Sequence, residues 1–313
     1  MSAEAEAAAW VGAYAVEADA LKDATAATAE TAWLSFENWY NPVAVAAMAK
    51  EMSELSTAAQ DAVAGLATEY VTQTIAATAA SFVIPAPRNL RVPIRNGVDM
   101  RLVHHRPAEA YKKAIATGST HAEALVKVGI RAKGLAFTDL SLQARGAQQA
   151  ILARAGITTF RRVIRPELSK TGTCGLCIVA ADRIYNTGEL MPIHPPSCNC
   201  VVMPIIGDND PGRSLNREDL DQLYADAGSN KANDLRRTRY AVNEHGEFGP
   251  TLTKSGDSFR GPDKVALEDD PERAARMLAK TLPVLARLEA AGGPAGPLAY
   301  QRDIVAKLRR IVG

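Results

Sequence analysis

All four cysteines of this chain, Cys174, Cys177, Cys198 and Cys200, fall between Thr171 and Ile206, with His194 four positions before Cys198. Thiols grouped in two short segments constrain a fold strongly, because one ion can draw both segments to a single point. Cys174-Gly-Leu-Cys177 is a C-x2-C turn whose middle glycine lets the backbone curl until both sulfurs face the same way. His194-Pro-Pro-Ser-Cys198-Asn-Cys200 brings three further soft or borderline donors into a few residues. Thiolate and imidazole together select zinc over magnesium or calcium. A structural zinc takes four ligands. The expected set is Cys174, Cys177 and His194 with either Cys198 or Cys200.

Other uses of the same residues are weaker. Four cysteines can form two disulfides in three connectivities, but a reducing cytoplasm favours thiolates and zinc. A catalytic cysteine wants a base and an orienting third group, and no cysteine here is marked out by such partners. Zinc deaminases carry H-x-E before P-C-x-x-C; here the C-x2-C comes first and His194 is followed by two prolines. The H-x-E at His245 and Glu247 lies after the cysteines. That pair is the one candidate for a reaction centre. An H-E-x-x-H zinc protease motif is absent.

The rest of the chain reads as mainly α. Hydrophobic content of 47% and charged content of 23% are those of a globular protein. A net charge of +1 gives no global case for wrapping DNA. No apolar run is long enough to span a bilayer, and the start Met-Ser-Ala-Glu-Ala-Glu lacks the basic beginning of a signal peptide. Synthesis in a reducing cytoplasm is expected. Alanine-rich sequence from 3 to about 39 predicts one long helix. Asn41-Pro42 then caps a second, to about Ala80, with Val45, Met48, Met52, Leu55, Ala59 and Val63 on one stripe. Together they read as a helical hairpin arm over 1–84. A linker over 85–106 carries Arg88, Arg91, Arg95, Arg101 and Arg106 against Asp99 alone. It suits DNA phosphate, an acidic partner surface, or a plain solvated crossing. Helices are expected from Pro107 to Thr117, from the cap at Ser119-Thr-His-Ala-Glu123 to about Lys133, and from Phe137 to Ala155. A strand over Phe160–Ile164 enters the cysteine stretch, and Val201–Ile206 leaves it. Arg161, Arg162 and Arg165 extend the basic surface. Beyond 207, a helix from Asn216, one or two hairpins within Tyr240–Phe259, a helix opened by Asp270-Pro271 and kinked or split at Pro283, and a last helix over Tyr300–Ile311 are predicted.

Phe160-Arg-Arg-Val-Ile-Arg165, then T-C-x-x-C, the insert Ala180-Ala-Asp-Arg-Ile-Tyr185, and H-P-x-x-C-x-C resemble the MuF-like minor head proteins of tailed bacteriophages. That family usually ends H-P-x-C-x-C, so this chain carries one additional residue before Cys198. The resemblance covers Arg145 to Ile206, with a helical approach from about Pro107. It implies a MuF-like helical domain with a small α+β zinc knot over 107–206 and a C-terminal extension over 207–313. It also implies a structural minor capsid protein in the head interior near the portal, acting in head morphogenesis, DNA packaging or ejection. Its partners would be the portal protein and, further, the major capsid protein or packaged DNA. Two alternatives stand beside it: a zinc-stabilised nucleic-acid-binding module using the arginines above, and an enzyme of the phage head, protease or toxin-like.

Overall fold

Local chemistry sets where the helices begin. Asn41 Oδ1 accepts hydrogen bonds from the backbone N–H groups of Val43 and Ala44 at 3.0 and 3.2 Å. Pro42 fills the first helical position, where a missing N–H costs nothing. The computed structural model describes residues 3–79, 91–168, 175–187, 200–226, 235, 240–254, 256 and 258–313. Helix α1 spans Ala3–Leu34 and α2 spans Pro42–Thr78. A single 3-10 turn at Arg95–Gly97 precedes α3 (Met100–His104) and α4 (Arg106–Ala116).

Helix α5 runs unbroken from His121 to Arg154, where two helices were expected. Gly134 costs only about 1 kcal/mol against alanine in a helix. The buried stripe continues through it, with Val128 and Ala132 before it and Leu140, Ala144 and Ile151 after it. The start of α5 is a reciprocal cap. Thr120 N–H donates to Glu123 Oε2 at 2.8 Å and Glu123 N–H donates to Thr120 Oγ1 at 3.3 Å. The backbone and hydroxyl of Thr120 also hold the Glu123 carboxyl below the usual carboxylate range. Replacing Thr120 by Ala is expected to cost about 1 kcal/mol in urea unfolding; an unchanged midpoint would show the cap to be redundant.

Strand β1 (Thr159–Val163) lies at the centre of a three-stranded antiparallel sheet between β2 (Ile184–Asn186) and β3 (Val201–Ile205). Helix α6 (Gly175–Ala181) stands between β1 and β2, and α7 (Pro211–Asp226) follows β3. A separate hairpin pairs β4 (Tyr240–His245) with β5 (Gly249–Lys254). Two helices close the chain, α8 (Pro271–Ala290) and α9 (Ala295–Val312). The first of them opens as expected, with Asp270 accepting from Arg273 N–H at 3.0 Å. It is not split at Pro283. The carbonyl that loses its donor belongs to the exposed residue Ala279, where water can replace it. Among the described residues no helix is long and apolar enough to cross a membrane.

The chain forms two compact units. One comprises 1–24, 57–96 and 137–259, the other 25–56, 97–136 and 260–313. Helices α1, α2 and α5 each contribute to both. Residues 1–84 are thus shared between the two units. In the first unit Val11, Tyr14, Val63, Tyr70, Leu140, Leu152, Phe160 and Met203 share one core. In the second, Trp33, Trp39, Val45, Met52, Tyr111 and Val128 share another.

Candidate metal centre

The register of the sheet sets the frame of the cysteine stretch. Val163, the last residue of β1, pairs with Val201, the first of β3. The chain therefore leaves β1 and begins β3 at paired positions, with the Cys-His stretch, and β2 within it, between. All of Phe160–Val163 is buried, so β1 shows no alternation of facing and is covered on both sides.

Two of the five candidate ligands lie within the described residues. Cys177 sits on α6 and is buried in a cluster with Ile164, Ile178, Ala181 and Leu220. The C-x2-C segment is thus partly helical, since α6 begins at Gly175. Cys200 immediately precedes β3 and packs against the same cluster. One thiol from each half of the motif therefore reaches one apolar cluster, and no disulfide joins them. Thiolates are donors that zinc favours. Cys174, His194 and Cys198 lie outside the described residues. Among the described residues alone, no group of three or more His, Cys, Asp or Glu side chains is arranged to hold a metal ion.

Two helices grip the strand that leaves the motif, and a third backs one of them. Arg145 of α5 donates from Nη2 to the Cys200 carbonyl at 2.8 Å and to Cys200 Sγ at 3.0 Å. Tyr70 of α2 donates to the Val202 carbonyl at 2.8 Å. Tyr14 of α1 stacks on Tyr70 with ring centroids 4.5 Å apart. Burial pushes the Tyr14 phenol well above its ordinary range, against the opposing pull of the Arg145 guanidinium. Asn216 of α7 ties the other side together. It accepts from Ile164 N–H at 3.0 Å and donates to the carbonyls of Arg162 and Ala181 at 2.7 and 3.1 Å. Neither Arg145 nor Asn216 was marked as functional by the sequence, because their partners lie 55 and 35 to 54 residues away.

Several arginines expected at a contact surface are not surface cations. Arg95 is buried and pairs with Asp139 and Glu247. Arg161 is buried and holds Asp210 through three donor contacts between 2.6 and 3.0 Å. Arg162 is among the most deeply buried large side chains. Guanidiniums held out of water by carboxylates or core packing cannot also meet phosphate. Arg165 is half-buried, and so is Arg106. Arg101 is exposed and forks onto Asp99 at 2.7–3.2 Å. Arg91, half-exposed, lies 3.9 Å from Asp61. Arg88 lies outside the described residues.

His245 and Glu247 do not meet as an acid–base pair. His245 Nδ1 accepts from the backbone N–H groups of Glu247 and Phe248 at 3.1 and 3.3 Å. The Glu247 carboxylate instead receives Arg95 Nη1 at 2.7 Å. Both side chains are thereby committed to shaping the β4–β5 turn. No family model, curated protein or solved structure matches this chain.

Proposed function

We propose that the chain is a MuF-like minor head protein of a tailed phage, a structural component associated with the portal, with a zinc ion shaping its middle. The observation that carries this reading is the order T-C-x-x-C, insert, H-P-x-x-C-x-C set between two antiparallel neighbouring strands, β1 and β3. Cys174, Cys177, His194 and one of Cys198 and Cys200 would hold the zinc, which supplies cross-linking, not chemistry on a substrate. The burial of Arg95, Arg161 and Arg162 removes cations that the nucleic-acid reading needs. The hydrogen bonds of His245 and Glu247 occupy the one pair the enzyme reading relied on.

The test is to purify procapsids and mature particles of the phage that encodes this chain and to look for it beside the portal protein. It is expected in one or both at a few copies per particle. Its absence from both would remove the reading.

A further inference from the structure

The core of the second unit draws no residue from beyond Ala136, although that unit runs to Gly313. Ala274 of α8 and Val305 and Leu308 of α9 are buried, yet none of them joins that core. Ala274 is the one buried residue of α8, and Met277 and Leu282 on the same helix are each 37% exposed. Ion pairs tie the two helices to each other. Arg302 Nη2 of α9 lies 2.9 Å from Glu289 Oε1 of α8, and Lys307 Nζ of α9 lies 3.0 Å from Glu268 Oε1, just before α8. Elements that share one apolar core open together, whereas an element outside it can open at lower free energy than the whole. The segment 260–270 that leads into α8 has no buried residue and holds one short 3-10 turn, Pro262–Lys264.

Two hydrogen bonds and one close approach join this pair to α4 and Tyr40. Tyr300 of α9 donates its hydroxyl to Glu109 Oε2 of α4 at 2.8 Å, and Lys112 Nζ stands over the Tyr300 ring at 5.6 Å. Burial and the neighbouring Glu109 carboxylate push the Tyr300 phenol up, so the hydroxyl remains a donor. Arg287 Nη2 of α8 donates to the Ala116 carbonyl, the last of α4, at 3.2 Å. Gly296, in the first turn of α9, lies so near the Tyr40 ring that a Cβ there would meet ring atoms at 2.8–3.1 Å. A glycine is what allows this approach.

We propose that α8 and α9 form a strap over α4 that opens as one body about the segment 260–270, while the aromatic core of the second unit stays folded. Opening uncovers Tyr40 and the side of α4 that carries Glu109 and Lys112. Closure depends on the fit of Gly296 against Tyr40 and on the Tyr300–Glu109 hydrogen bond.

The test is hydrogen exchange on the full chain, read by mass spectrometry over 271–312 and, in the same unit, over 42–56 and 121–136. In the native chain α8 and α9 are expected to exchange together, roughly tenfold or more faster than the other two segments. Gly296→Val sets a branched side chain against the Tyr40 ring, and valine is a better helix former than glycine, so α9 itself is not weakened. It should speed exchange over 271–312 by roughly another tenfold and leave 42–56 and 121–136 as they were. Tyr300→Phe, which removes the donor to Glu109, should do the same by roughly several-fold. If Gly296→Val does not fold, Tyr300→Phe decides. Native exchange over 271–312 as slow as that over 121–136 overturns the proposal, as do variants that speed all three segments equally, because either result makes the unit one cooperative body. Rapid exchange of α8 with α9 as slow as the core overturns it as well, since a single helix would then be fraying. Variants that leave exchange over 271–312 unaltered overturn the closure at Tyr40 and Glu109.

Discussion

Replacing Asp139 by Ala is expected to destabilise the chain by about 3–5 kcal/mol, the usual cost of leaving one partner of a buried ion pair uncompensated. The Arg95 and Asp139 side chains are 1% and 0% exposed, so water cannot take over the lost contact without opening the core. Glu247, 14% exposed, remains as a second carboxylate and keeps the loss from being larger. The backbone adds to the effect. Arg95 and Asn96 both have positive φ, at 54° and 50°. Non-glycine residues held there cost of order 1–3 kcal/mol each and persist only when their surroundings over-determine them. The Asn96 side chain donates to the Gly246 carbonyl at 2.9 Å, and the Arg95 guanidinium lies over the Phe248 ring at 5.4 Å. Removing Asp139 therefore loosens the β4–β5 turn along with the segment before α3. Guanidinium chloride unfolding followed by far-ultraviolet circular dichroism measures the loss. A change below about 1 kcal/mol would mean that Arg95 reaches water and that its burial is not maintained in solution.

Trp33→Ala is the second large effect, at about 3–5 kcal/mol for a fully buried aromatic. Trp33 is 0% exposed in the core of the second unit. It stacks on Trp39 at 5.9 Å and meets Phe36 edge-on at 5.5 Å, and Trp39 in turn stacks on Tyr111 at 4.1 Å. Truncation leaves a cavity in the middle of that aromatic group, which the long helices around it cannot close. Trp33→Phe should cost far less. The indole N–H is buried without a hydrogen-bond partner among the described residues, so phenylalanine forfeits volume but no hydrogen bond. Denaturant midpoints of the two variants are expected to differ by more than those of Trp33→Phe and the native chain. Equal midpoints for alanine and phenylalanine would show that the indole contributes no packing.

The residues that were legible in the sequence are those whose chemistry is local. Asn41-Pro42, Thr120 with Glu123, and Asp270-Pro271 each announce a helix start within four residues, and each caps as expected. Gly118 and Gly156 end helices at positive φ. The stripe from Val45 to Val63 is buried or partly buried as its spacing implies. Pairings across long separations were not legible. Arg95 finds carboxylates 44 and 152 residues away, and Arg161 finds one 49 away. A count of arginines in a window reads such residues as surface charge, because nothing nearby in the chain shows the carboxylate that buries them. The same limit hid Arg145, whose partner lies 55 residues on. Of the candidate metal set, the sequence named both thiols that the structure brings to one cluster, Cys177 and Cys200, while Cys174, His194 and Cys198 fall outside the described residues.

The course of α1, α2 and α5 bears on how such a chain is made. Each unit collects three stretches, and the polypeptide passes from one to the other within these helices, near residues 24, 56 and 136. A ribosome releasing the N-terminal half delivers the buried residues of the second core, Ala26 to Ala136, but only part of either unit. The second unit is complete only once the last helix emerges, and no single cut along the sequence parts the residues of one unit from those of the other.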